Sequence, residues 1–258
     1  MKISILGSGS SGNATFLEVD GFKFLVDAGF SGKKIKEKLE LIGENIEELG
    51  ALLITHEHLD HILGAGVLSR KYNIPIYITG ESYKVCAEKL GKISENNLRL
   101  VDGDFRLMES VKVTPFDVMH DAERTIGFKI ENSRGKKLAI STDIGYINNI
   151  VREHFKDVNI VVIECNYDYQ MLMSCSYPWD LKARVKGRNG HLSNTDAAKF
   201  IGDINHPGLE KVYLAHVSRD SNSYETAINT VRDELKRQCI EVEIEIAYQE
   251  KNTNIFKV

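Results

Sequence analysis

A chain of 258 residues with 42% hydrophobic and 27% charged content can bury a full core without disulfides or structural metal. That hydrophobic content excludes intrinsic disorder, and the formal net charge of −4 excludes a generally basic, histone-like nucleic-acid binder. Cys86, Cys165, Cys175 and Cys239 are widely spaced and form no C-x-x-C pair, which argues against a disulfide framework or a thiolate zinc site.

The opening run Met1–Leu6 is too short for a signal peptide, and no stretch approaches the ~18 to 20 apolar residues of a membrane span. A cytoplasmic, reduced and unanchored protein is expected, with no membrane partner. Short strands are predicted at Ile3–Leu6, Ala14–Val19 and Phe22–Val26, the last two joined by the hairpin dipeptide Asp20-Gly21. Ser31–Leu41 reads as a serine-capped helix with Ile35, Leu39 and Ile42 on one face. A buried strand at Ala51–Thr55 precedes a helix over Ile62–Tyr72 and a strand at Pro75–Ile78. A helix around Ser82–Leu90 follows, then strands at Leu98–Val101, Val111–Val118, Thr125–Glu131, Lys136–Ser141 and Val158–Glu164. The chain continues as helix Asp196–Ile204, strand Lys211–Ala215, helix Tyr224–Lys236 and strand Glu241–Ala247. No low-complexity linker or charge block interrupts this alternation, so one domain over residues 1–258 is expected.

The informative segment is His56-Glu57-His58-Leu59-Asp60-His61, directly after the strand Ala51–Thr55. With eight histidines in the chain, an H-x-H-x-D-H pattern arises by chance roughly 4 × 10⁻⁴ times. Imidazoles and carboxylates this close on a sharply turning loop can reach two Zn²⁺, Mn²⁺ or Fe²⁺ ions. The competing reading is a solvated polar loop. His120, Asp143 and His216 each fall just past the carboxyl end of an apolar strand, where sheet proteins gather their chemistry. Alone, each is a weak signal, since a lone strand-end His or Asp is more often a turn or capping residue. Together with the first motif they converge on one mouth of the sheet.

At this point the sequence resembles the metallo-β-lactamase-fold hydrolases. The stretches Gly7-Ser8-Gly9-Ser10-Ser11-Gly12-Asn13, Asp27-Ala28-Gly29, Gly190-His191-Leu192-Ser193-Asn194 and Ala215-His216-Val217-Ser218 look most like the YycJ/WalJ group. The resemblance implies an αβ/βα sandwich: two mixed sheets packed face to face with helices outside. It implies two divalent ions per chain (Mn²⁺ or Zn²⁺), one held by His56, His58 and His120. The other would be held by Asp60, His61 and His216, with Asp143 bridging. It further implies a phosphodiester-cleaving nuclease with 5′-to-3′ exonuclease activity on DNA. The interval between Asp143 and His216 is too short for the inserted domain of the β-CASP nucleases.

Paired cations lower the pKa of water toward 7 and clamp phosphate oxygens, so no side-chain nucleophile is required. No G-x-S-x-G elbow supports a serine hydrolase. For the leaving alkoxide, His191 is the candidate proton donor and Glu164 its orienting partner, a pairing that the resemblance to transfer-RNA processing phosphodiesterases also implies. Asp60 is counted with them as catalytic as well as a ligand. The competing reading leaves His191 in a surface loop and Glu164 as a solvated acid.

Lys182, Arg184, Lys186 and Arg188 form a basic segment, with no acidic residue from Leu181 through Thr195. On a helix their four-residue spacing would group them in pairs as a nucleic-acid contact, DNA in preference to RNA, although a solvated helix gives the same pattern. Tyr167, Tyr177 and Trp179 read either as base-stacking or as buried aromatics. Asp27 is a candidate partner for a liganding histidine. The glycine-rich run Gly7–Gly12 reads equally as an anion-binding loop and as a tight turn. Glu57, His154 and His206 receive no role, and the oligomeric state stays open, a homo-oligomer included. Two rival functions are carried: a small-molecule metallohydrolase (cyclic phosphodiesterase, lactonase or thioesterase) and a non-catalytic metal-binding regulatory partner.

Overall fold

The computed structural model describes residues 1–258. The first half supplies strands β1 (Lys2–Gly7), β2 (Ala14–Val19), β3 (Phe22–Val26), β4 (Leu49–Leu53), β5 (Ile76–Thr79) and β6 (Leu98–Val101). The second supplies β7 (Phe105–Met108), β8 (Val111–Val118), β9 (Thr125–Glu131), β10 (Lys137–Ser141), β11 (Ile160–Glu164), β12 (Lys211–Ala215) and β13 (Glu243–Ile246). A last short strand, β14 (Phe256–Lys257), returns to pair with β1. Two seven-stranded sheets result, ordered β14-β1-β2-β3-β4-β5-β6 and β13-β12-β11-β10-β9-β8-β7. Each half starts as an antiparallel meander and continues as parallel strands, β3 through β6 in one and β10 through β13 in the other. This is the two-sheet sandwich that the resemblance implied.

Strand periodicity explains the layering. Side chains alternate across a strand, so Ile3, Ile5, Phe24 and Val26 meet Ile126, Phe128 and Ile130 between the sheets. The opposite face of the first sheet, Leu6, Phe16, Leu25 and Leu52, packs under helices. These are α1 (Gly32–Leu41), α2 (Leu59–Ile62), α3 (Ala65–Tyr72) and α4 (Gly80–Leu90). Over the second sheet lie α5 (Asn149–Phe155), α6 (Tyr169–Ser174), α7 (Trp179–Val185), α8 (Asn194–Asp203) and α9 (Tyr224–Arg237). Helix α1 starts where Ser31 accepts the Lys34 N–H at 3.3 Å, and α9 buries Ala227, Val231 and Leu235 along one stripe. No helix is long and apolar enough to cross a membrane.

The structure corrects the expected elements in several places. The helix expected over Ile62–Tyr72 begins three residues later, as α3 at Ala65, and the short helix α2 before it was not foreseen; the two are separated at Leu63 and Gly64. There the Gly64 N–H donates to Ala28 O at 2.8 Å, and a Cβ would come within 2.3 Å of Phe30 O. Strand β7 and helices α5 and α6 were not foreseen; β7 alternates half-buried with exposed residues, and α5 and α6 are under two turns long. Strand β11 begins two residues later than expected, at Ile160, because the Asn159 side chain accepts the Lys137 N–H at its start.

Candidate metal centre

The candidate residues hang from the carboxyl ends of β3, β4, β8, β10, β11 and β12. Three of them, Asp27 (φ 62°), Asp143 (φ 56°) and His216 (φ 52°), are left-handed non-glycine residues that turn the chain sharply at a strand end. Such a conformation is costly for an L-residue unless its surroundings impose it. Here they do. The Asp27 carboxylate accepts the Thr55 N–H at 2.9 Å, the His216 N–H donates to Ser8 Oγ at 2.9 Å, and Ile144, next to Asp143, donates its N–H to Glu164 at 2.8 Å.

The donor atoms of His56, His58 and His120 lie within 4.8 Å of one another, as do those of Asp60, His61 and His216. Asp143 stands between the two groups, with Oδ2 3.1 Å from His61 Nε2 and Oδ1 3.7 Å from His120 Nε2 and 3.5 Å from His216 Nδ1. All seven sequence-derived candidates thus converge on one buried point.

The imidazoles are held from behind. His61 Nδ1 lies 2.8 Å from Asp27 Oδ2, His120 Nδ1 is 3.0 Å from Gly190 O, and His216 Nδ1 is 2.8 Å from Glu164 Oε1. His56 Nδ1 rests 3.0 Å from the Thr55 hydroxyl. Each ring therefore turns Nε2 toward the shared centre, the arrangement by which outer hydrogen bonds fix ligand tautomers. His56 Nε2, His216 Nε2 and Asp143 Oδ2 are buried without a hydrogen-bond partner. An unsatisfied buried polar atom costs about 1 to 3 kcal/mol, and three converging on one spot fit a site made for cations.

Electrostatics agree. Burial holds His56 well below its ordinary pKa, keeping it neutral. At His61 burial pulls the same way, but the carboxylates of Asp27, Asp143 and Asp60 outweigh it and raise the pKa well above the usual range. Burial likewise opposes ionisation of Asp143, yet His216 and His61 hold its carboxyl well below the ordinary value. The point is one where carboxylate charge invites a cation.

Next to this cluster, Glu164 is fully buried. One oxygen lies 2.8 Å from both His191 Nδ1 and His216 Nδ1, and the other accepts the N–H groups of Ile144 and Leu192 at 2.8 and 3.0 Å. Burial would raise its carboxyl, but His191 and His216 pull it down to about 2, so it stays ionised. The His191 pKa is raised despite burial, chiefly by that carboxylate. His191 lines a cleft of about 220 Å³ together with His216, Ser10, Tyr177 and Arg184.

Several participants carried no signal that sequence reasoning could use alone. Thr55 Oγ1 touches the Asp27 carboxylate and both His56 and His61. Asn13 Nδ2 lies 3.0 Å from His61 Nε2 and 3.3 Å from Asp60 Oδ2. Asn13 closes the glycine-rich run, which forms a tight turn with four of its N–H groups already paired. The N–H groups of Ser8, Gly9, Gly12 and Asn13 are spent on Tyr248 O, Asn13 Oδ1, Gly9 O and Asp60 O. Glycine is obligatory at Gly29, where a Cβ would sit 1.7 Å from Asp60 O and 2.6 Å from the Asn13 nitrogen. Gly29→Ala is expected to destabilise the fold by on the order of 3 kcal/mol and to lower bound metal. Thermal denaturation and elemental analysis check this, and a variant melting like wild type would contradict it.

The basic segment is divided by the fold. Helix α7 ends at Val185 with Lys186 as its cap, so the expected helical pairing of Arg184 with Arg188 does not form, although the Lys186 N–H still reaches Lys182 O at 3.2 Å. Lys182 is buried and donates to Met173 O at 2.7 Å, which takes it out of any substrate surface. Arg184 pairs with Asp121, a partner from the loop after β8. Lys186 and Arg188 are exposed. Of the aromatics, Tyr167 is buried, Tyr177 donates to Asp220 at 2.8 Å, and Trp179 is 74% exposed.

A two-sheet sandwich with histidines and carboxylates gathered at one mouth defines a metallohydrolase. A family model, the beta-lactamase superfamily domain, matches residues 23–217, and the chain belongs to this superfamily as a metal-dependent hydrolase. It is 36% identical over 239 residues to the exodeoxyribonuclease YycJ of Bacillus anthracis, covering 92% of this chain and 90% of that protein. To the exodeoxyribonuclease WalJ of Streptococcus pneumoniae it is 36% identical over 247 residues, covering 95% of this chain and 91% of that one. Among solved structures, the metallo-β-lactamase fold protein YhfI of Bacillus subtilis superposes with a TM-score of 0.71 at 16% identity over 98% of each chain, a likeness of fold.

Proposed function

We propose that the protein is a two-metal phosphodiesterase that degrades DNA from its 5′ end, with Mn²⁺ or Zn²⁺ as the ions. The observation that carries this reading is His191, held by a buried carboxylate one ring away from the donor cluster. A thioester or an activated ester needs no such donor; the sugar alkoxide of a nucleic acid does. The likeness to YycJ and WalJ supports DNA as the substrate, and a cytoplasmic location suits that substrate.

In this reading His56, His58 and His120 hold one ion, Asp60, His61 and His216 the other, and Asp143 serves both. Ions so held would lower the pKa of water and neutralise phosphate oxygens as charge builds. Asp27 orients His61 through their 2.8 Å contact. Glu164 keeps the His191 Nδ1–H pointed at itself, leaving Nε2 for a proton that passes to the departing oxygen. Asp60, anchored through its backbone to Asn13, fixes the metal loop against the rim. Arg184 and Arg188 border the cleft where the phosphate chain would run.

Purified protein incubated with end-labelled single- and double-stranded DNA and RNA tests this. Release of mononucleotides from the 5′ end of DNA, faster than from RNA, is expected with Mn²⁺ or Zn²⁺ and abolished by a chelator. Hydrolysis that ignores the chelator, or none with either ion, would overturn the proposal.

A further inference from the structure

Three loops that carry a residue of the centre also carry an exposed residue close by in sequence. Met119 precedes His120 and is 39% exposed; Tyr146 follows Asp143 by three and is 45% exposed; Arg188 precedes His191 by three. Backbone contacts stitch these loops together. The Gly145 N–H donates to Met119 O at 2.8 Å, and His120 Nδ1 reaches Gly190 O at 3.0 Å. Gly145 packs so closely that a Cβ there would lie 2.2 Å from Arg188 O. The exposed side chains therefore ride on the same rigid platform as the centre.

Their arrangement has a chemistry. The Arg188 guanidinium carbon lies 4.8 Å from the Tyr146 ring centre, a cation–aromatic stack open to solvent. Met119, Arg184 and Arg188 line an open groove of about 650 Å³, which shares Arg184 and Asp121 with the cleft at His191 and His216. Asp121 is the acid within this groove, and Arg184 already neutralises it. A path thus leaves the centre along Arg184 and Arg188, with Met119 as an apolar surface beside it; the Tyr146 ring backs the Arg188 guanidinium but lines the neighbouring hollow with Gly145 and Leu192 rather than the groove itself. Unpaired bases stack on aromatic rings and on guanidinium planes, and the contact tolerates any sequence.

We propose that this groove is the track for the single-stranded nucleic-acid segment adjoining the scissile phosphate, with the Arg188 guanidinium, held by the Tyr146 ring behind it, as its stacking surface and Met119 as its apolar floor. The proposal rests on the phosphodiesterase reading and names how that site would hold a strand rather than a lone nucleotide.

Binding of fluorescent single-stranded phosphorothioate DNA, two and eight nucleotides long, to the purified protein tests the track by anisotropy. Wild type is expected to bind the octanucleotide more tightly than the dinucleotide. Tyr146→Ala should weaken octanucleotide binding at least about fivefold and leave little advantage of length, while Tyr146→Phe keeps the stack and the affinity. Arg188→Gln should lower the salt slope of octanucleotide binding by about 0.7, one phosphate contact on a single strand. Octanucleotide affinity equal to wild type in Tyr146→Ala, or equal loss for both lengths, would overturn the track while leaving the phosphodiesterase reading intact. Wild type that binds neither length and cleaves no DNA would remove both.

Discussion

Asp143→Ala is expected to cut DNA hydrolysis by at least about 10³-fold and to lower bound metal by more than one equivalent per chain. The size follows from position. Asp143 is 2% exposed and faces His61 with one oxygen and His120 and His216 with the other, so one deletion strips the carboxylate from both donor groups. Two-metal sites contribute several kcal/mol of transition-state charge stabilisation, which corresponds to about three orders of magnitude. Asp143→Asn keeps the shape and removes the charge, so it should fold like wild type and still lose metal. Elemental analysis beside a nuclease assay checks both variants. Full metal content in Asp143→Ala would show that the residue bridges nothing.

His191→Ala should separate chemistry from metal binding. The Glu164 carboxylate that holds His191 also holds His216, so the truncation leaves the partner of His216 in place. Both metals should remain. The rate on DNA, whose sugar oxygen is a poor leaving group, should fall by roughly 10²- to 10⁴-fold, the range of general acid catalysis. On bis(p-nitrophenyl) phosphate, whose phenolate departs without a proton, the loss should be at least about tenfold smaller. His216→Ala should instead lose metal and fail on both substrates. Equal losses on the two substrates in His191→Ala would reassign His191 to a structural role. A second contrast, Glu164→Gln, should depress metal content as well as rate, because its oxygen serves His216 too.

What the sequence revealed of this site follows the range of the interactions involved. His56, His58, Asp60 and His61 are legible because one tight loop carries them, and their spacing alone betrays the chemistry. His120, Asp143 and His216 are legible only as strand-end residues, since the apolar runs before them mark where β8, β10 and β12 stop. The Asp27–His61 contact was foreseen as a kind of role, but its partner emerges only when β3 and β4 lie side by side. Thr55 and Asn13 could not be found this way. Each acts through hydrogen bonds to residues brought near by folding, and neither residue type announces a metal site.

The basic segment shows the reverse failure. Its charges were plain, yet whether they are free depends on burial and distant partners. Lys182 folds beneath α7 onto Met173 O, and Arg184 meets an aspartate 63 positions away. Helix α3 starts later than expected because periodicity does not register Gly64, where the close approach of Ala28 and Phe30 sets the chain. Tyr146 carried no charge, spacing or motif. It matters here because a glycine beside it lets its loop press against Arg188.

Metal stoichiometry tests the central claim most directly. Protein purified without chelator, or reconstituted with Mn²⁺ or Zn²⁺ and freed of excess ion, is measured by elemental analysis against protein concentration. The account predicts two equivalents of divalent transition metal per chain. A chain that holds no metal after reconstitution, or saturates at one equivalent, would contradict it.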